Sequence, residues 1–398
     1  MSLNSLGDVN SRPIVGFVIG TLDHGRGGHY WDLKTIAENL NGKATVIIFN
    51  IGIAPSPVLE SSEVRVINVP LQLIDSIQTI AKEVKKRNIQ SLFCIDIRVA
   101  IIAEIVAKKT QAPVIHIKPG GPNPSSTYPN LKKLIVYSKE NYNHFKLLKK
   151  NQGTDLYFLP NRSEKVEVDE LLVNELDELA LNSPFKFVQV LRICKEYESN
   201  IYKALELIKR IELTGNKNVT LFVIGVVQDE TVFKRILSMA DNLPVHFITD
   251  SKYTQSASRL LSLGDAIIGN GRSVMEASSL GLPILVSACN SDIPILLDAD
   301  SFEKAFEVNF SPRFELSEKE VQSGKSLSKI LSLISDKNHL EQVAGYSLRS
   351  FETYFDINSV VDKYLEISTQ AVYSKLSLLS LLKLFRFYLT SRLRVYKE

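Results

Sequence analysis

The feature that most constrains this chain is a repeated alternation of short apolar runs with segments of helical spacing. Ile14 to Ile19, Thr45 to Phe49, Val64 to Val69, Leu92 to Ile97, Val114 to Ile117 and Leu134 to Tyr137 read as strands. Between them, sets such as Leu33/Ile36/Ala37/Leu40 and Ile77/Ile80/Ala81/Val84 keep a stripe with a period near 3.6. Near-continuous apolar strands joined by helices predict an α/β fold, a parallel sheet covered on both faces. The pattern halts near Leu159-Pro160-Asn161 and restarts after Pro184, with Phe187 to Ile193, Thr220 to Ile224, His246 to Ile248, Ala266 to Ile268, Ile284 to Val286 and Ala305 to Val308. Two doubly wound, Rossmann-like domains are expected, residues 1–183 and 184–350, followed by C-terminal helices over 351–398.

Ligands of such sheets bind outside the carboxyl ends of the strands, which directs attention to the loops there. The most informative is GNGRSVMEASSLGLPILVS, Gly269 to Ser287. Gly269-Asn270-Gly271 breaks a strand, Ser273 and Glu276 have the S-x-x-E spacing of a capping box, and Gly281-Leu282-Pro283 ends the helix. A helix starting there offers unpaired N–H groups and a positive dipole end to an anion, and Arg272 adds a guanidinium. The plain reading of the same residues is a structural βαβ unit with Glu276 capping its own helix. The dinucleotide fingerprint G-x-G-x-x-G fails, because Val274 holds its last position.

This segment resembles the donor-binding segment of GT-B glycosyltransferases, in particular glycosyltransferase family 4. The resemblance implies two domains facing a cleft, and a nucleotide-diphosphate sugar whose ribose hydroxyls are held by Glu276. It implies transfer to a lipid-linked or saccharide acceptor with retention of configuration, as in bacterial surface polysaccharide synthesis. A second glutamate that the family often carries eight residues earlier is replaced by Ile268. Val190-Leu191-Arg192-Ile193-Cys194-Lys195 is similar to the strand whose arginine and lysine neutralise the donor diphosphate, which assigns Arg192 a catalytic role and Lys195 a binding one. The loop from Thr21 to Leu33 resembles the family's first glycine loop, with Gly27, Gly28 and His29 near the substrates and His24 as an acid-base candidate. Lys118 stands at the end of the strand where the family often has a histidine, and His116 one turn of the pleat earlier reads as a core residue. Asp250 follows the strand whose loop usually receives the base. Epimerisation of a nucleotide sugar, or a partner subunit without turnover, stay open beside transfer.

Composition excludes other classes. The net charge of +3 is too small to argue for nucleic acid. Cys94, Cys194 and Cys289 lie in or beside apolar runs, which predicts buried reduced thiols and a cytoplasmic setting. No cofactor or metal is expected: Asp298-Ala299-Asp300 stands alone as a D-x-D, no Cys/His spacing fits zinc, and no G-x-S-x-G is present. From Ala371 onward six basic residues (Lys375, Lys383, Arg386, Arg392, Arg394, Lys397) face one acid, Glu398, while Leu376, Leu379, Leu382, Phe385 and Leu389 recur at helical spacing. That pattern predicts a helix in the headgroup plane of an anionic membrane; the competing expectation buries the same leucines on the first domain.

Overall fold

A computed structural model describes residues 12–22, 25–148, 152–180, 184–215, 218–322 and 324–395. The chain forms two compact units. One runs to Asn161 and resumes at Ile357; the other is Arg162–Asp356.

The first unit is built on a seven-stranded sheet in the order β3-β2-β1-β4-β5-β6-β7. Its strands are β1 Ile14–Thr21, β2 Thr45–Gly52, β3 Arg65–Pro70, β4 Ser91–Cys94, β5 Val114–Lys118, β6 Lys133–Val136 and β7 Asp155–Phe158, all paired in parallel. Because side chains alternate across a strand, Val18, Phe49, Leu92 and Cys94 pack on one face while Phe17, Ile19, Ile48 and Phe93 pack on the other. The helices Leu73–Arg87 and Ala100–Thr110 cover the first face, and Gly28–Asn41 covers the second. The sequence reading passes over β7, although Leu156-Tyr157-Phe158-Leu159 is a short apolar run there; all four side chains of the strand are at least partly exposed.

The C-terminal segment completes this unit. Val361–Gln370 packs Val361, Tyr364 and Ile367 onto the second face, and Ser368 Oγ lies 2.8 Å from Ser91 Oγ. The helix Leu378–Val395 then lies on the first face with Leu384 and Tyr388 buried, and the Tyr388 hydroxyl donates to the Leu71 carbonyl at 2.8 Å. The leucine-rich tail is therefore not left over from the fold: one side of it is core.

The second unit carries a six-stranded sheet ordered β10-β9-β8-β11-β12-β13. These strands are β8 Phe185–Val190, β9 Val219–Ile224, β10 Val245–Ile248, β11 Ala266–Ile268, β12 Ile284–Val286 and β13 Ile295–Leu296; β13 alone runs antiparallel to its neighbour. Residues 162–180 pack here: Val166 N–H donates to Ser279 Oγ at 3.0 Å and Asp169 N–H to the Arg259 carbonyl at 3.1 Å. Ala305 to Val308, expected as a strand, lies mostly in the helix Phe302–Glu307. Phe302, Ala305 and Phe306 are its buried residues, the i, i+3, i+4 spacing that a four-residue apolar run conceals.

Candidate functional site

Each sheet reverses its strand order once, between β1 and β4 in the first unit and between β8 and β11 in the second. At such a switch point the connecting helices leave to opposite faces and open a crevice at the strands' carboxyl ends. In the second unit this juxtaposes the residues after Val190 with the turn after Ile268, since Ile267 pairs with Val188.

That turn is held by backbone constraints. Gly269 N–H donates to the Leu285 carbonyl at 2.9 Å, continuing the sheet register by one residue. Gly271 has φ 58° and ψ −122°, a conformation that residues with a Cβ adopt only at a cost, and its N–H donates to the Phe310 carbonyl at 3.0 Å. The Asn270 side chain donates to that same carbonyl at 3.0 Å, so Asn270 fastens the turn from within. Phe310 is itself fixed in an aromatic cluster, with ring centroids 5.6 Å from Phe302 and 5.5 Å from Phe355. It and Asn309 both have positive φ, 53° and 56°. A turn that only glycine adopts without strain thus meets the strained Asn309-Phe310 pair at one hydrogen-bonded point.

The helix Arg272–Ser279 starts directly from this turn, with Gly271 as its N-cap. The expected capping box is not formed. Ser273 is already the second helical residue, and Glu276 turns to Arg272 four residues back instead, Nε to Oε1 at 2.8 Å. Arg272 does not project into solvent: both side chains of the pair are about five-sixths buried, at 17% and 16% exposure. The pair fixes the Glu276 carboxylate over the first turn of the helix.

Across the switch point, β8 ends in a loop that carries Arg192. Gly225 makes this possible, because a Cβ there would fall 1.6 Å from the Leu191 carbonyl oxygen. Arg192 has partners that its sequence context did not reveal. Its guanidinium stacks 5.2 Å from the Tyr197 ring centroid, with Nη2 donating to the Tyr197 hydroxyl at 3.3 Å and Nη1 3.5 Å from Gln228 Oε1. Lys195 is mostly exposed and donates to Glu198 at 2.9 Å. Glu198 also accepts from Tyr202 at 2.5 Å and from Arg235 Nε at 2.8 Å, and these hydrogen bonds, Tyr202 first, hold its carboxyl down at about 2. Asp250 caps the short helix after β10, accepting from Lys252 N–H at 2.8 Å.

In the first unit, Gly27 is the N-cap of the helix that begins at Gly28, and His29 packs its ring 4.2 Å from that of Tyr30. The Tyr30 hydroxyl donates to the Gly20 carbonyl at 2.8 Å, tying the loop to β1. His24 lies outside the described residues. Lys118 donates to the carbonyl of Gly120, so its ammonium braces the loop that follows β5. His116 is a core residue: its Nε2 is 2.8 Å from Glu104 Oε1, and both are buried. Sequence reasoning missed two polar groups at this edge. Thr21 donates to Asn50 at 2.5 Å, and Asn50 to Asn68 at 2.9 Å, across three adjacent strands. At the end of β4, Asp96 is clamped by Arg98 at 2.7 Å. A polar residue within or just after each apolar run was the available signal.

Other expectations resolve here. Asp298 and Asp300 both accept from Lys329, at 2.5 and 3.0 Å, so the D-x-D is an ion-pair cluster. Cys94 and Cys194 are buried free thiols, whereas Cys289 is exposed.

No protein-family model matches this chain, and no curated protein sequence matches it. Solved structures do. A glycosyltransferase from Rickettsia africae is similar with a TM-score of 0.65 at 14% identity, over 91% of this chain and 99% of that one. Anabaena HepE in complex with UDP-glucose is similar with a TM-score of 0.64 at 13% identity, over 89% and 99%. The chain has the two-domain fold of the GT-B glycosyltransferases. The fold is shared more widely: the UDP-GlcNAc 2-epimerase from Neisseria meningitidis bound to UDP-GlcNAc is similar with a TM-score of 0.54 at 14% identity, over 90% and 100%.

Proposed function

We propose that this protein is a glycosyltransferase that takes its sugar from a nucleotide-diphosphate donor bound at the switch point of the second unit. The observation that carries the reading is the Gly271 turn, whose conformation suits only glycine and which opens directly into the helix that bears the Arg272–Glu276 pair. The positive dipole end of that helix and the Arg192 guanidinium in the loop after β8 supply fixed positive charge for a diphosphate. As the sugar leaves, negative charge grows on that diphosphate, and preorganised cations stabilise it without a metal. Glu276, oriented by Arg272, accepts from the ribose hydroxyls. Lys195 is exposed enough to swing from Glu198 to a phosphate oxygen. A saccharide or a lipid-linked saccharide serves as acceptor, with configuration at the anomeric carbon retained, and the glycine loop before Gly28 belongs to the acceptor and sugar side.

The likeness to UDP-GlcNAc 2-epimerases supports a second reading, epimerisation of the nucleotide sugar itself. A thermal-shift screen of nucleotide-diphosphate sugars tests donor binding in either case. A ligand at 100 times its dissociation constant stabilises by about 2.7 kcal/mol. Chromatography of the bound sugar nucleotide after incubation then separates the readings. Nucleotide diphosphate released only with acceptor present means transfer, a new epimer without acceptor means epimerisation, and an unchanged ligand means binding without turnover. Absence of any stabilising nucleotide sugar removes the proposal.

A further inference from the structure

The Leu378–Val395 helix uses only part of its circumference to dock. At about 100° per residue, Leu384 and Tyr388 point one way while Leu378, Leu382, Phe385 and Leu389 form a separate stripe. The first two are 0% and 2% exposed; the four of the stripe are 73%, 57%, 37% and 43% exposed, and Leu379 beside them is 64% exposed. An apolar stripe this long, fixed in place on a folded unit, marks an interaction surface.

Its borders identify the occupant. Arg386 is exposed along one edge, and Arg392, stacked 5.7 Å from the Tyr388 ring, lies along the other. Lys383 stands near Arg386 and donates to the carbonyls of Ser126 and Tyr128, which pins the helix while keeping a positive charge at the stripe's rim. Between Ala371 and Lys397 the sequence has no acidic residue. A second copy of this helix would set these cations against their own kind, which disfavours self-pairing. Leucines and a phenylalanine rimmed by arginine and lysine match the acyl and phosphate layers of an anionic bilayer. Among the described residues no helix is long and apolar enough to cross a membrane.

We infer that the outward face of the Leu378–Val395 helix is a docking surface for anionic lipid, with its apolar stripe inserted at the headgroup boundary while the opposite side stays packed on the first unit. The sequence alone offered burial or membrane contact as alternatives; the folded helix provides both. This inference is independent of the donor site.

The test is co-sedimentation of the full chain with phosphatidylcholine vesicles, with and without about 30% phosphatidylglycerol. The wild type is expected to pellet with the anionic vesicles, less so as salt rises, and weakly with the neutral ones. The double variant Leu378→Glu/Leu382→Glu changes two well-exposed positions of the stripe, so its melting temperature should be unchanged while its partitioning falls by about tenfold or more. Arg386→Glu should lose the preference for anionic lipid. Glu276→Gln should sediment as the wild type does, which separates this surface from the nucleotide site. Wild type that stays in the supernatant, or a double variant that pellets equally, overturns the inference. So does a wild-type dimer that the double variant converts to monomer without any lipid binding, because the stripe would then be an interface between copies.

Discussion

Replacing Gly271 by alanine tests the glycine-dependent turn on which the proposed donor site is built. Nothing lies within 4 Å of where a Cβ would be placed, so steric crowding contributes nothing. The cost is conformational: φ 58° with ψ −122° is a region that residues with a side chain enter at about 1–3 kcal/mol. In a unit of this size, 1 kcal/mol moves the melting temperature by about 2–4 °C, so a loss of about 2–12 °C is expected. Gly28→Ala is the matched control. Its Cβ also enters open space, and Gly28 is the first residue of a helix, where alanine gains up to about 1 kcal/mol. Differential scanning calorimetry of both variants makes the comparison. If Gly271→Ala melts within about 1 °C of the wild type, the turn relaxes freely, and the claim that Phe310 and Asn270 hold it in a conformation that only glycine tolerates fails.

Two further substitutions separate scaffold from site. His116→Leu leaves the buried Glu104 carboxyl without its hydrogen-bond partner, and should cost about 1–3 kcal/mol in a denaturant titration while nucleotide affinity is kept. Unchanged stability with lost transfer would return His116 to the chemistry. Glu198 has a folded-state pKa of about 2, below its ordinary 4.5, so its stabilising effect is complete above 4.5 and is lost as pH falls toward 2. The stability advantage of wild type over Glu198→Gln should therefore shrink across that window, and a pH-independent difference would contradict the hydrogen-bond network with Tyr202, Lys195 and Arg235.

How much of this was legible in the sequence follows from how each feature is encoded. Strands buried on both faces announce themselves, and β1, β2, β9 and β12 stand where their apolar runs predicted. Two of the four edge strands do not: β7 is partly exposed and β13 has two residues, whereas the edge strands β3 and β10 were marked by Val64 to Val69 and His246 to Ile248. The Gly269 to Ser287 segment was readable because glycine, helix and strand follow in a short local order. Its internal bonding was not. Ser273 and Glu276 have capping-box spacing, yet the positive φ of Gly271 starts the helix earlier and leaves Glu276 to Arg272. The partners of Arg192 were out of reach for another reason: Gln228 lies 36 residues away, brought close only by the pairing of β8 with β9. Likewise Phe310, which anchors the turn, is 40 residues from Asn270. Spacing arguments see one helix or one loop at a time; a site assembled at strand ends is long-range by construction.

The most direct measurement is a calorimetric titration of the nucleotide diphosphate from the best-stabilising sugar donor into wild type and Glu276→Gln. The pair with Arg272 is mostly buried, but Glu276→Gln keeps an amide oxygen to accept from Arg272, so it should cost about 1–2 kcal/mol and leave the fold intact. If Glu276 holds the ribose, replacing a charge-assisted contact by a neutral one should weaken binding by about 5- to 30-fold with the fold intact. Equal affinity in the two proteins, or no nucleotide binding to the wild type, would contradict the assignment of this switch point as the donor site.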